Sequence, residues 1–152
     1  TSRRQRQMCI RDRGIRDYFE SILDNVTLID DFDVYGHLDY VVRYCPSGEK
    51  IFRMSDYKEV FEQIFKKIIP KGKGIEINTG SLYKNMSYAH PHMDILKLYK
   101  DMGGEIITVG SDAHKPEYLC YDFETYARDA LTSLGYRYYC TFKNRKPEFN
   151  PL

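Results

Sequence analysis

The stretch EIITVGSDAH, residues 105–114, joins a short apolar run to a polar cluster. Glu105 to Val109 is nearly continuously apolar, which is typical of a parallel strand buried on both faces. Asp112 and His114 follow where such a strand would end, so both side chains can reach one ion. A carboxylate with imidazoles suits zinc, manganese or iron. The alternative is that a polar residue here only caps a helix that Pro116 helps to start.

The rest of the chain alternates between helical and strand periods. Apolar residues recur at helical spacing in four segments, and short runs rich in β-formers lie between them. Such alternation predicts an α/β fold with parallel strands, and a barrel or part of one is favoured because no glycine-rich phosphate loop is present. The predicted strands are 33–37, 74–78, 105–109 and 137–142.

Polar residues end two further predicted strands, and in a barrel such residues converge on one mouth. His37 follows the first strand, although a lone histidine is more often a core or loop residue. Asn78 and Glu76 share one face of the second strand. Asn78, nearer the carboxyl end, is predicted to orient substrate or a ligand, and Glu76 to anchor polar packing. His90-Pro91-His92 (residues 90–92) precedes a helical pattern, so we interpret it as the lead-in to a helix.

Composition excludes several classes of protein. The 152 residues contain no apolar run long enough to span a membrane, and the basic start lacks the apolar segment of a secretory signal. The four cysteines are widely spaced without a CxxC pair, which favours reduced thiols in a cytoplasmic protein. We therefore expect neither a zinc knuckle nor a membrane partner.

The first thirteen residues, TSRRQRQMCIRDR, have no helical or strand period and are expected to lie outside the fold. RRQRQMCIRD resembles the translation of an adapter used in preparing sequencing libraries. The alternative is a basic arm that binds nucleic acid. Without its five arginines and one acid, the 23 basic and 22 acidic residues of the chain fall to a net charge of −3. Residues 14–152 thus carry no charge signal for nucleic acid.

Four blocks resemble consecutive segments of PHP-family histidinol-phosphatases: DVYGHLDYVVRY, GIEINTGSLYK, DILKLYKDMGGEIITVGSDAHKPE and GYRYYCTFKNRKPEF. The resemblance covers most of the chain from Gly14 onward. It implies the C-terminal part of a distorted (β/α)7 barrel with up to three divalent metal ions. The implied reaction is hydrolysis of a small phosphomonoester, L-histidinol phosphate, to L-histidinol and phosphate in histidine biosynthesis.

The resemblance also implies residue roles. His37 resembles a metal-ligating histidine, and Asp112 and His114 resemble the closing DxH motif. Arg43 resembles an arginine that grips the substrate phosphate. Asp112 is also placed to manage protons as a catalytic group. The Arg43 role requires the first strand to end near His37, because six extended residues would hold the two about 20 Å apart.

Two departures from the family pattern matter. The HxH motif and glutamate of the family's first strands are missing, so this chain alone is expected to be inactive. Tyr83 stands in SLYK where the family often has the arginine of GLRK. Two other functions stay open, namely another PHP phosphoesterase and a non-catalytic PHP scaffold domain.

Overall fold

The computed structural model describes residues 3–44 and 52–152, with side chains from residue 12 onward. Helices and strands alternate through most of this length. The order is α1 (Arg3–Leu28), β1 (Val34–Tyr35), α2 (Lys58–Ile68), β2 (Gly74–Asn78), α3 (Met93–Asp101), β3 (Ile107–Gly110), α4 (Arg128–Ser133), β4 (Tyr138–Lys143) and β5 (Lys146–Pro151).

The first three strands form a parallel sheet in the order β1-β2-β3. Tyr35 pairs with Ile75, and Asn78 pairs with Gly110, so the carboxyl ends of all three strands lie at one edge. Ile75 and Ile77 are fully buried, as their apolar run predicts. The predicted α/β class with parallel strands is confirmed.

The helices cover the sheet with the apolar faces that their sequence spacing predicts. Phe19 of α1 meets Phe61 of α2 at 4.7 Å between ring centroids, and Phe65 meets Tyr99 of α3 at 5.2 Å. Each of these four rings is at most 1% exposed. Burying a side chain of this size stabilises the fold by roughly 1.5–3 kcal/mol.

Glycines end three helical segments at the positions that the sequence indicates. Gly72, Gly103 and Gly135 all have positive φ, of 66°, 90° and 81° respectively. Glycine adopts this conformation without the steric cost of a Cβ, so it terminates helices readily. Among the described helices, none is long and apolar enough to cross a membrane.

The third predicted strand is shifted to Ile107–Gly110, and the first and last differ more. The first is shorter than predicted and contains only Val34–Tyr35, because the chain turns at His37, where φ is 29°. The last does not continue the parallel sheet, which corrects the expectation of parallel strands throughout. Instead β4 pairs antiparallel with β5 in a hairpin whose turn is Asn144-Arg145. Both turn residues have positive φ, which matches the twist of a two-residue hairpin.

Arg145 fastens this hairpin to the segment before β1. Its Nε donates to Asp33 Oδ2 at 3.0 Å, and its Nη1 donates to Asp31 Oδ1 at 2.5 Å. Both hydrogen bonds raise the pKa of Arg145 above its usual range. We refer to these three residues as the Arg145 clasp. The clasp connects parts of the chain that are far apart in sequence.

Candidate metal centre

The candidate residues follow the carboxyl ends of neighbouring parallel strands. His37 follows β1, Asn78 ends β2, and Asp112 and His114 follow β3. The three carboxyl ends lie at one edge of the sheet, where an α/β fold gathers its functional side chains. The strand-end residues therefore lie at the predicted edge of the sheet, and their role in a site stays a prediction.

His37 presents a nitrogen that the described part of the chain does not use. Its ring packs on Tyr40 with 4.5 Å between centroids and a tilt of 32°. Its Nδ1 is buried without a hydrogen-bond partner among the described residues. Buried polar atoms are usually satisfied, so an unpaired one needs an explanation. A ligand bound at Nδ1 would supply the missing partner.

His114 is oriented by the backbone of its own loop. Its Nδ1 lies 2.8 Å from the carbonyl oxygen of Asp112. A carbonyl can only accept, so Nδ1 carries the proton and Nε2 keeps its lone pair. Ligating histidines are commonly held in this way, with the second ring nitrogen donating to a carbonyl. His114 is 79% exposed at its side chain, so Nε2 is accessible.

Asp112 faces a region of positive charge. Its carboxylate lies 3.7 Å from Lys84 Nζ, and its backbone φ is 50°. The turn Pro116–Tyr118 has Lys115 as its N-cap, with no side-chain cap hydrogen bond. The capping alternative for Asp112 therefore has no support, and the side chain is available to a ligand.

Arg43 has the backbone geometry that a phosphate-binding role requires. The strand ends at Tyr35, and Tyr40–Tyr44 is a 3-10 turn, so the chain curls back after His37. The guanidinium carbon lies 5.3 Å from the ring centroid of Tyr40, and Nη1 donates to the Tyr40 hydroxyl at 3.3 Å. The contact keeps Arg43 beside the ring that packs on His37.

Arg43 and Asp112 act electrostatically on the same phenol. Burial raises the pKa of Tyr83, the charge of Asp112 raises it further, and the charge of Arg43 lowers it. Tyr40 behaves similarly: its hydrogen bond with Tyr44 raises the pKa most, and Asp112 also contributes. The charge of Asp112, after β3, therefore acts on tyrosines in the segments after β1 and β2.

Asn78 and Glu76 are engaged within the chain. Asn78 Oδ1 accepts from the Gly80 N–H at 2.9 Å, and its Nδ2 lies 3.5 Å from Glu76 Oε2. The Glu76 carboxylate fills the space over both neighbouring strand ends. A Cβ on Gly36 or on Gly110 would come within 3.1 or 2.4 Å of its oxygens. The contacts agree with polar packing for Glu76, and substrate orientation by Asn78 stays a prediction.

Sequence reasoning missed a buried hydrogen-bonded pair that begins two residues after His37. Asp39 Oδ1 lies 2.8 Å from His90 Nδ1, and Asp39 Oδ2 accepts from the His92 N–H at 2.9 Å. Asp39 and His90 are 0% and 2% exposed. His90 also exchanges two backbone hydrogen bonds with Asn78. These contacts hold the segment after β1 against the end of β2.

His92 begins helix α3, as its position predicts. It is the N-cap residue, and its ring accepts from the Asp94 N–H at 3.2 Å. His92 therefore serves as a helix cap, and His90 packs against Asp39 with its Nε2 buried and unpaired among the described residues. The HxH spacing alone could not distinguish these roles from a metal site.

The donor set fits a divalent metal ion, although it is incomplete by itself. His37, Asp112 and His114 offer two imidazoles and a carboxylate, which zinc, manganese and iron accept. Among the side chains that the structure describes, in residues 12–44 and 52–152, no three histidine, cysteine, aspartate or glutamate residues stand close enough to enclose an ion. A complete site would need further ligands or movement of these loops.

Comparison with known proteins identifies curated relatives of this chain. A histidinol-phosphatase of Lactococcus lactis is 31% identical over 143 residues, which are 93% of this chain and 52% of that protein. A probable histidinol-phosphatase of Thermotoga maritima is 32% identical, over 84% of this chain and 51% of its own length. The chain thus spans about half the length of the curated relatives it matches.

A solved structure of a histidinol phosphate phosphatase also matches this chain. The histidinol phosphate phosphatase of Lactococcus lactis, complexed with zinc, L-histidinol and phosphate, superposes with a TM-score of 0.74. It is 30% identical, and the match covers 91% of this chain and 52% of that one. The model of the PHP domain family matches residues 2–80. The chain therefore belongs to the PHP domain family.

Proposed function

We propose that this chain is part of a phosphomonoesterase that hydrolyses L-histidinol phosphate to L-histidinol and phosphate, a reaction of histidine biosynthesis. The observation that carries the proposal is that His37, Arg43 and Asp112 all follow the carboxyl ends of parallel strands, which lie at one edge of the sheet. The matching Lactococcus lactis structure holds L-histidinol and phosphate, the two products of this reaction, together with zinc.

The metal ligands of this chain would be His37, Asp112 and His114. Divalent ions bound there supply charge neutralisation for the phosphate and a water whose pKa is lowered toward neutrality. His37 Nδ1 and His114 Nε2 are the ring atoms that would bind the ions, because no described residue occupies them. Zinc, manganese and iron all suit the donor set.

The remaining residues would bind the substrate and handle its protons. Arg43 is suited to phosphate because a guanidinium donates two parallel hydrogen bonds to its oxygens. The Tyr40 ring and hydroxyl hold this guanidinium beside His37. As a ligand carboxylate, Asp112 would also be placed to accept a proton from the attacking water. Asn78 would orient the substrate from the end of β2.

The domain arrangement is also a proposal. We assign residues 14–152 to the C-terminal part of a (β/α)7 barrel, in which preceding strands would pair with the free edge of β1 and bring the other ligands. Residues 1–13 would be foreign to this domain. The chain by itself would then be inactive. The unpaired state of Cys120 and Cys140 supports a cytoplasmic location.

The proposal is tested with the complete gene product and a panel of phosphomonoesters, assayed for phosphate release with and without added zinc or manganese. Asp112→Asn should lower activity on L-histidinol phosphate at least about 100-fold, since even outer-shell changes at metal sites cost 10- to 100-fold. Asp101→Asn is the matched control, because Asp101 only pairs with Lys97 on the surface of α3.

Each outcome separates one function from the others. Preference for a different phosphomonoester or a nucleic-acid end would assign the chain to another PHP phosphoesterase. A complete protein that releases no phosphate from any substrate would indicate a scaffold domain. Equal activity of Asp112→Asn and Asp101→Asn would refute the role of Asp112.

A further inference from the structure

The turn after β2 holds the loop that carries Asp112 and His114. This turn is the 3-10 segment Thr79–Lys84, and we call residues 111–121 the β3 loop. Thr79 Oγ1 lies 2.7 Å from the Tyr121 carbonyl oxygen and 3.3 Å from that of Gly110. Both ends of the β3 loop are thereby attached to a single side chain.

Tyr83 contacts the middle of the β3 loop. Its ring stacks on Tyr118 with 4.1 Å between centroids and 9° between planes. Tyr121 meets the same ring edge-on at 5.3 Å. The Tyr83 hydroxyl donates to the carbonyl oxygen of Asp112 at 2.7 Å. The two aromatic contacts fix where this hydroxyl can point.

The carbonyl of Asp112 is the point on which the loop geometry depends. It accepts from the Tyr83 hydroxyl and from His114 Nδ1, at 2.7 and 2.8 Å. Asp112 has a φ of 50°, a conformation disfavoured for residues with a Cβ. Side chains that bind this carbonyl can hold the disfavoured turn, and the same bond leaves His114 Nε2 free.

We propose that Tyr83 is a positioning residue for the metal site. Its hydroxyl fixes the Asp112 carbonyl, which keeps the Asp112 carboxylate and His114 Nε2 directed toward a common ion. The inference rests on the proposed function, because it assumes that these two residues are ligands. Tyr83 does not act on substrate in this role, since its proton is committed to the backbone.

Tyr83→Phe tests the role because it removes the hydroxyl and keeps the stacked ring. Tyr118→Phe is the matched control, since it removes a hydroxyl from the other ring of the same stack. Zinc affinity is measured by competition with a chelator, amide hydrogen exchange over residues 111–121 by mass spectrometry, and Tm by calorimetry. We expect Tyr83→Phe to weaken zinc binding about 10- to 100-fold and to speed exchange in this loop. The Tm of Tyr83→Phe should equal that of the wild type. Tyr118→Phe should match the wild type in zinc affinity, exchange and Tm.

Unchanged zinc affinity and unchanged exchange in Tyr83→Phe would overturn the proposal. Equal losses in both variants would also overturn it, because the stack and not the hydroxyl would then be responsible. A wild-type protein that binds no zinc would contradict the proposed function instead. In that case the exchange rates alone decide whether Tyr83 fixes the loop.

Discussion

His37 and Asp112 both have positive φ, at 29° and 50°. Such conformations cost on the order of 1–3 kcal/mol for residues with a side chain, and they concentrate at functional sites. The sequence identified both residues because each follows a predicted strand. It could not predict their backbone conformation, because His37 lies in a turn packed on Tyr40 and the carbonyl of Asp112 binds Tyr83, which is 29 residues away.

The strain at Asp112 gives a prediction that separates stability from function. Asp112→Gly should raise the free energy of unfolding by about 1 kcal/mol, because glycine adopts positive φ without steric cost. It should also abolish zinc binding, since the carboxylate is lost. Cys120→Gly, at a φ of 53°, is the control and should gain stability while keeping zinc. Urea denaturation and chelator competition measure both quantities.

If both glycine variants have a lower free energy of unfolding than the wild type, positive φ does not destabilise these turns. Retained zinc affinity in Asp112→Gly would remove Asp112 from the ligand set. The stability measurement and the zinc measurement test separate claims, so either claim can be refuted without the other.

Asp39 and His90 illustrate what residue patterns leave out. They are 51 residues apart in sequence. They meet because the chain curls after β1, which brings Asp39 near, and because His90 bonds to the end of β2 through Asn78. Nothing in their local sequence distinguishes a buried pair from two surface residues. Strand-end residues can be predicted from one segment, whereas such partners require the tertiary fold.

At the level of elements, periodic segments were predictable and the hairpin was not. Strand β2 coincides with its predicted range 74–78, since apolar residues and flanking glycines mark it clearly. The β4–β5 turn, Asn144-Arg145, lacks the glycine that usually signals a two-residue hairpin turn. Pro147 also weakens the pattern of β5, because proline is confined to edge positions in sheets.

Helix α1 carries a prediction about the adapter-like segment. The helix begins at Arg3 and continues through it, but the first core residue after Asp12 and Arg13, both exposed, is Ile15. Deleting residues 1–13 should therefore leave the urea midpoint nearly unchanged. A large loss of stability would show that the segment belongs to the fold.

Deleting residues 1–19 provides the contrast, because it also removes Ile15 and Phe19. Phe19 is fully buried against Phe61, and losing a buried aromatic side chain costs about 3–5 kcal/mol. The chain that lacks residues 1–19 should unfold at a much lower urea concentration, as followed by circular dichroism.

At the scale of the whole molecule, the sheet is open on one side. Within the described residues β1 pairs only with β2, and a groove of about 370 Å³ borders it. Leu28 and Ile29 beside this groove are 82% and 53% exposed. Unpaired edges and exposed apolar groups favour association, so the arrangement agrees with a barrel completed by further strands. A barrel cannot be derived from these three strands alone.

Buried tyrosines predict a loss of stability in alkali. Burial raises the pKa of Tyr18 from 10.0 to about 12, and burial raises the pKa of Tyr99 and Tyr136 further. The folded state thus favours the protonated phenols, while unfolded tyrosines ionise near 10. Their contribution is complete below pH 10 and is lost as pH rises through the folded pKa values.

Urea midpoints measured across this range, with tyrosinate absorbance as a second signal, check the prediction. Tyr99→Phe should show a shallower loss of stability above pH 10 than the wild type. Tyr138→Phe is the control, because Tyr138 is 47% exposed. Identical pH dependence in the wild type and Tyr99→Phe would exclude Tyr99 as a source of the effect.

The Arg145 clasp has a consequence for the order of folding. Its hydrogen bonds join Arg145 to Asp33, which is 112 positions earlier, and to Asp31, which is 114 positions earlier. Contacts of such separation carry a large loop-closure entropy. They should therefore form after the local helices and after β1 has met β2. Contacts that form late mainly slow unfolding. During synthesis, Asp33 and Asp31 leave the ribosome 112 and 114 residues before Arg145, so both stay unpaired until that length of chain has followed.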